Sequence, residues 1–252
     1  LTEPWRFIPP MAAPGAVQMA VDRWLLHQHQ QGQSPPVLRF YTWSPAAISL
    51  GYHQRRWPQS WRNLVWQGQP VDLVRRPSGG RAVLHAGDLT YALVASGFKG
   101  ERLQVYRQVC QFLVEGLEAL GVRLVLGAAG RGYIHNPSCF GTATGADLVG
   151  AADPAQKIIG SAQFWSAGYL LQHGSIRLSA DSELYREVFG EPGNSVCPLP
   201  QALAELPEEI RIQRLIAELK SAAERCFNTC FDVAALTEAE VEAAVEAFSL
   251  PV

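Results

Sequence analysis

The run Arg75-Arg76-Pro77-Ser78-Gly79-Gly80-Arg81-Ala82-Val83-Leu84-His85 constrains this chain more than any other stretch. An apolar run from Val71 to Val74 leads into two adjacent arginines. A proline and a Gly-Gly pair then break the strand pattern, and a second apolar run, Ala82 to Leu84, ends on a histidine. The pattern predicts strand, glycine turn, strand, with a third strand from Leu89 to Ser96. Glycines adopt φ > 0 without a Cβ clash and let backbone amides approach a ligand. Arginines add fixed positive charge beside them. The turn is therefore expected to hold something with a polar or anionic head. A phosphate loop is excluded, because Gly79-Gly80 lacks the Gly-Lys-Ser/Thr that must follow. The Gly127 to Gly132 run has the wrong glycine spacing for a dinucleotide fingerprint and no helix after it.

The elements around this stretch predict an α+β fold rather than βαβ alternation. Trp5 to Pro14 is proline-rich and reads as irregular. Ala16 to Gln31 has helical spacing, with Pro14 in the first turn and Gly32 as the stop. Val37 to Trp43 and Ala46 to Tyr52 read as strands, and Arg55 to Gln69 as a loop with a short helix. Leu103 to Leu120 carries one apolar face and ends at Gly121. Val122 to Leu126 and Leu148 to Ala151 are short strands, and Lys157 to Trp165 pairs with Gly168 to Leu178 as a hairpin. The glycine-rich loop from Gly127 to Asp147 is long, a property that often accompanies function. After Ser179 the pattern turns helical: Ser182 to Phe189, Leu199 to Leu206, Glu208 to Phe227 and Glu238 to Phe248. Thr237 with Glu240 forms a capping box for the last. The chain thus divides into a sheet domain over 1–180 and a helical C-terminal extension over 181–252 packed on the same domain.

Composition removes several functions. Forty-eight per cent hydrophobic residues allow a sizeable core. A net charge of −2 argues against a nucleic-acid binder. No apolar run is long enough to span a bilayer. Five irregularly spaced cysteines fit free thiols in a reducing cytoplasm better than a disulfide framework. Cys226 and Cys230 lack companion ligands, so no metal site is expected. The Trp57, Trp61 and Trp66 cluster reads as core or lid rather than a stacking platform.

Polar residues within apolar surroundings concentrate in three pieces: Arg75 to His85, Ser138-Cys139-Phe140, and Lys157-Ile158-Ile159-Gly160-Ser161-Ala162-Gln163. Each admits an ordinary reading beside a functional one. Lys157, at the mouth of an apolar strand, is either a solvated strand end or part of a site. Cys139, in a glycine-rich loop, becomes a thiolate if cations lie near, whereas Cys110 in a helix behaves as a small hydrophobe. His85 and His173 are either hydrogen-bonded strand residues or part of a site.

Together these motifs resemble the lipoate-protein ligase and octanoyltransferase family, in the larger group that includes biotin-protein ligases. Three ordered segments carry the resemblance: Arg75 to His85, Lys157 to Gln163, and Leu171-Gln172-His173-Gly174-Ser175-Ile176. Met19-Ala20-Val21-Asp22, Leu38 to Trp43 and Ser49-Leu50-Gly51-Tyr52 also fit, so the likeness runs from about residue 15 to 180. It implies a mixed, largely antiparallel sheet flanked by helices, of the kind shared by biotin ligases and class II aminoacyl-tRNA synthetases. Ser138-Cys139-Phe140 is similar to the element of the cysteine-dependent, LipM-type octanoyltransferases. Two departures stand out. Lys157 follows Cys139 by 18 positions, with Gly145 to Ala155 as an apparent insertion, and Ala86-Gly87 separates His85 from Asp88 where relatives often have an acidic residue at once.

The resemblance implies transfer of an octanoyl group from octanoyl-acyl carrier protein to a lysine of a lipoyl-domain protein, without ATP, cofactor, metal, nucleic acid or membrane. Cys139 would carry the acyl group and Lys157 would do electrostatic and orienting work. Arg75, Arg76, Ser78, Gly79, Gly80, His85, Gly160 and Ser161 would bind substrate, with amides near Gly79-Gly80 or Gly160 as oxyanion donors. Val71 to Val74 and Ala82 to Leu84 would wall an acyl tunnel. Three alternatives remain at this point: an ATP-dependent lipoate ligase, a lipoyl-domain amidotransferase, and a non-catalytic acyl- or lipoyl-binding module.

Overall fold

The computed structural model describes residues 3–127, 147–179, 181–191, 193 and 196–248. The chain opens with strand β1 (Trp5–Ala13) and helix α1 (Gly15–Gln30), followed by β2 (Val37–Trp43) and β3 (Ala47–Leu50). A single 3₁₀ turn, Gln59–Asn63, precedes a small hairpin of β4 (Val65–Trp66) and β5 (Gln69–Pro70). Next come β6 (Asp72–Arg75), β7 (Val83–His85), β8 (Asp88–Ser96), helix α2 (Arg102–Ala119) and β9 (Leu124–Leu126). Then follow β10 (Asp147–Gly150), β11 (Lys157–Ser166) and β12 (Tyr169–Arg177). The C-terminal part holds α3 (Ser182–Phe189), α4 (Gln201–Ala204), α5 (Glu208–Phe227), β13 (Phe231–Val233) and α6 (Glu238–Phe248).

The fold is α+β. Among the described residues, eight strands form one sheet in the order β13-β1-β2-β8-β12-β11-β10-β9. The β13-β1 and β1-β2 pairings are parallel and the others antiparallel. Side chains alternate between the two faces of a strand. Leu38, Phe40, Tyr91 and Leu93 therefore face α2 and α5, while Tyr41, Ala92 and Val94 face α1. A second sheet, β6-β3-β7, lies beyond α1's end of that face.

Three local expectations change. The proline-rich start is not irregular. It is strand β1, with Phe7 and Ile8 buried, and Pro9-Pro10 falls where its register with β2 shifts between Ile8 and Met11. A bulge is where a sheet tolerates residues without an N–H. Within 55–69 the structure has a hairpin as well as the short helix, turned by Gln67 and Gly68 at positive φ. Finally, the glycine turn does not fold its flanking strands onto each other. Strand β3 lies between them, parallel to β6 and antiparallel to β7.

The C-terminal segment is helical except for β13, which extends the main sheet beside β1. Helix α5 packs on α2 and α6 on α1. The tryptophan cluster joins the core under α3: the buried Trp61 indole donates to Val188 O (3.1 Å) and Trp66 to the Asp181 carboxylate (2.8 Å). That carboxylate also caps α3 by accepting from the amides of Glu183 and Leu184. The capping box at α6 forms as expected, with the Thr237 amide donating to Glu240 and the Glu240 amide to the Thr237 hydroxyl.

Candidate active site

Between the main sheet and the β6-β3-β7 sheet lies a cavity of about 270 Å³. Strand register explains its position. Tyr41, Thr90, Ser175 and Gly160 stand opposite one another on four adjacent strands, and all four line the cavity. Gly160 contributes no side chain at the end of that row, and Ala162 adds only a methyl, so the sheet leaves space there.

Lys157 begins β11 and is only 1% exposed, so it is not a solvated strand end. Its ammonium meets the carboxylate of Asp147 on the neighbouring β10 at 2.8 Å, and both residues line the cavity. A buried ion is tolerated only when paired and hydrogen-bonded. Gly127 donates its amide to Asp147 O at 2.8 Å. The two flanks of segment 128–146 therefore meet beside the partner of Lys157. Ser138, Cys139, Phe140 and His135 lie outside the described residues.

Two histidines hold parallel networks in the wall. His85 contacts the Asp88 carboxylate through Nδ1 (2.8 Å) and Ser49 Oγ through Nε2 (2.9 Å). His173 contacts Asp22 through Nδ1 (2.9 Å) and Ser78 Oγ through Nε2. A carboxylate at Nδ1 fixes the proton there, leaving Nε2 to accept from the serine hydroxyl. The His85 ring also stacks on Trp43, with centroids 3.9 Å apart. Asp88 accepts further bonds from Thr90 (3.0 Å) and Ser175 (2.6 Å). Burial pushes its carboxyl upward, but electrostatic attraction to the His85 ring and the bonds from His85, Ser175 and Thr90 outweigh that and hold it below the usual range. Asp88 thus takes the acidic place beside His85 despite the two intervening residues. Asp22 likewise accepts from the Tyr41 hydroxyl (3.0 Å) and pairs with the buried Arg39 (3.4 Å).

The arginines differ from the expectation of a grip on an anionic head. Arg75 donates to the carbonyls of Gly51, Tyr52 and Gln54, at 3.0, 3.3 and 2.9 Å, and does not line the cavity. Arg76 does line it, yet its guanidinium donates to the carbonyls of Ser49 (2.8 Å), Gly79 (2.9 Å) and Arg81 (2.6 Å). Both act by shaping the turn. Gly79 and Gly80 line the cavity opposite Gly160. Gly80 has φ 95°, a conformation that favours glycine. Ser78 is buried behind the wall. Ser161 turns its hydroxyl to the α2 face, where Tyr91 donates to it at 2.8 Å. Of the apolar residues expected to wall a tunnel, only Val83 does so. Met19, Tyr41 and Trp43 line the cavity as well.

Sequence reasoning named both histidines and pointed to Asp88 near His85, but gave His173 no carboxylate. Asp22 stood in a quoted segment without a role. Asp147 carried no signal at all, because a lone acid before a strand is ordinary.

The fold itself is one this chain shares with lipoate-protein ligases. A crystal structure of lipoate-protein ligase A bound with ATP superposes with a TM-score of 0.74 at 21% identity, covering 97% of this chain and 93% of that one. The bi-partite lipoate protein ligase of Thermoplasma acidophilum, solved in a study with its E2 lipoyl domain, gives 0.69 at 20% identity, with 96% and 91% covered. At those identities the likeness concerns the fold. Membership rests on sequence: residues 14–228 match the lipoyl protein ligase A/B catalytic domain, and the chain belongs to that family. Among its relatives, Octanoyltransferase LipM of Symbiobacterium thermophilum is 34% identical over 86% of this chain and 75% of the relative. Octanoyltransferase LipM of Geobacillus kaustophilus is 35% identical over 77% and 72%.

Proposed function

We propose that this protein is an octanoyltransferase of protein lipoylation. It takes an octanoyl group from an acyl carrier protein thioester and delivers it to a lysine of a lipoyl domain. The observation that carries the reading is the buried Lys157–Asp147 pair in the wall of a largely apolar cavity, in a chain whose relatives bear the octanoyltransferase name.

The Cys139 thiolate attacks the thioester carbonyl, a new thioester forms on Cys139, and the carrier thiol departs with a proton. The acceptor amine then attacks that carbonyl. An amide forms, the Cys139 thiolate leaves, and the proton lost by the amine balances the one the carrier thiol took up. Thioester exchange is near isoenergetic and amide formation is downhill, so the scheme consumes no ATP. A free thiol has a pKa of about 8.5, and a nearby ammonium raises its thiolate fraction. Lys157 has that role, and the Asp147 carboxylate aims its ammonium. The amides of Gly79-Gly80 are the candidate donors to the oxyanion. The apolar cavity wall receives the acyl chain, where six methylenes at roughly 0.8 kcal/mol each contribute about 5 kcal/mol.

The test is a transfer assay with a lipoyl-domain acceptor and two donors, octanoyl carrier protein alone and free octanoate plus ATP. Product from the first and none from the second is expected. Product only from octanoate plus ATP identifies a ligase instead.

A further inference from the structure

The charge of this chain is unevenly placed. Residues 23–100 contain nine lysines and arginines against two aspartates, Asp72 and Asp88. The rest of the chain carries twelve basic against twenty-one acidic residues, which reverses the sign. Within the basic stretch, residues 51–71 hold Arg55, Arg56 and Arg62 and no acid, and all three arginines are exposed.

This segment is fixed to the cavity rim. Arg75 clamps the carbonyls of Gly51, Tyr52 and Gln54, and the Tyr52 amide donates to Ser78 O at 2.9 Å. Gly51 packs so closely on the glycine turn that an added Cβ would lie 1.9 Å from Gly80 O. Gly80 in turn lines the cavity. Arg62 lies over the Trp57 ring, 5.5 Å from its centroid, which orients a long side chain. The guanidinium of Arg75 is thus spent on presenting the loop that bears Arg55 and Arg56, rather than on a ligand inside.

We propose that loop 51–62 is the docking surface for the acyl donor, an acidic carrier domain that presents its thioester on a phosphodiester-linked arm. This rests on the octanoyltransferase reading above. Planar guanidinium groups match phosphate and carboxylate geometry, and exposed arginines beside a cavity raise the association rate of an oppositely charged partner. The acceptor brings a bare lysine without a phosphate arm, so the patch serves the donor half-reaction.

The test separates the half-reactions in wild type and in the double variant Arg55→Glu, Arg56→Glu. Enzyme acylation is followed with octanoyl carrier protein and with octanoyl-pantetheine, which has neither acidic domain nor phosphate. Transfer from preformed octanoyl-enzyme to the lipoyl domain is followed separately. For the carrier donor, kcat/KM is expected to fall at least tenfold in low salt and to lose most of its salt dependence. Acylation by octanoyl-pantetheine and transfer to the lipoyl domain should stay within twofold, which also shows that the variant is folded. An unchanged carrier rate overturns the proposal. So does a loss confined to the lipoyl-domain step, which assigns the patch to the acceptor, or a change in sedimentation of the protein alone, which assigns it to a second copy. Failure of wild type to accept any octanoyl thioester would instead overturn the octanoyltransferase reading itself.

Discussion

Asp22 and His173 are 151 positions apart in sequence and meet at 2.9 Å behind the cavity wall. One comes from helix α1 and the other from β12, so the contact ties the helical layer to the sheet. Beyond it, His173 Nε2 meets Ser78 of the glycine turn. A serine, histidine and aspartate in line suggest a hydrolase relay, but Ser78 is only 1% exposed and stands outside the cavity. The line therefore positions the turn, and the His85 network does the same for β7.

The Lys157–Asp147 pair predicts paired effects. Asp147→Asn leaves a buried ammonium without its counter-charge and should destabilise the protein by about 3 kcal/mol, the scale for breaking a buried pair. Lys157→Ala should slow octanoyl transfer at least a hundredfold while the protein still folds. Chemical denaturation and single-turnover rates measure the two effects. A Lys157→Ala enzyme with normal transfer would remove the lysine from the mechanism.

Asp88 predicts an acid-side stability change. Its folded carboxyl is held below the ordinary value of 3.8. A depressed carboxyl contributes stability that is fully present above its unfolded pKa and is lost as pH falls through the folded pKa. The stability difference between wild type and Asp88→Asn should thus be steady from pH 5 to neutrality, at about 2 kcal/mol, and shrink below about pH 4. Thermal melts of both proteins across that range measure it. A difference that grows toward acid would contradict the assignment.

Gly51 predicts a steric effect at a distance from the reacting groups. Gly51→Ala would drive a methyl into the Gly80 carbonyl, a rigid backbone atom 1.9 Å away. Overpacking of this kind costs about 1–3 kcal/mol or more. The loss should appear both in stability and as weakened acylation, since Gly80 forms part of the cavity. Gly68→Ala is the contrast. Unlike Gly51, that position has a positive φ, but no atoms lie near the added Cβ, so it should cost only backbone strain and leave acylation intact.

The thiols predict selective reactivity. Burial pushes Cys110 and Cys197 up to about 12. At pH 7.5 such a thiol is ionised in roughly one molecule in thirty thousand. Neither should react with iodoacetamide in the folded protein, while the exposed Cys230 should. Peptide mapping after brief labelling decides this, and Cys110→Ala should retain octanoyl transfer.

Much of the architecture was legible in the sequence because it rests on local signals. Helices α3, α5 and α6 follow from apolar spacing and caps, and the β11–β12 hairpin from its Ser166-Ala167-Gly168 break. What escaped depends on distant partners. Strand β1 reads as a broken proline segment until β2 and β13 flank it. The strands on either side of the glycine turn are legible one by one, but not that β3 lies between them. In the site, Lys157, His85 and His173 stand out because charged or imidazole side chains in apolar runs are conspicuous. Their carboxylates were invisible or ambiguous: Asp22 lies in a helix, Asp147 ahead of a short strand, and Asp88 two residues late. The arginines carried the opposite lesson. A guanidinium beside glycines looks like an anion grip, and only the fold reveals that backbone carbonyls of the neighbouring loop consume it.

In the proposed mechanism Cys139 carries the octanoyl group between donor and acceptor. Intact-mass measurement after mixing with octanoyl carrier protein decides this. An added octanoyl mass is expected on wild type that disappears when lipoyl domain is supplied, and no adduct on Cys139→Ala. An adduct of the same mass on Cys139→Ala, discharged by the lipoyl domain as in wild type, would contradict it.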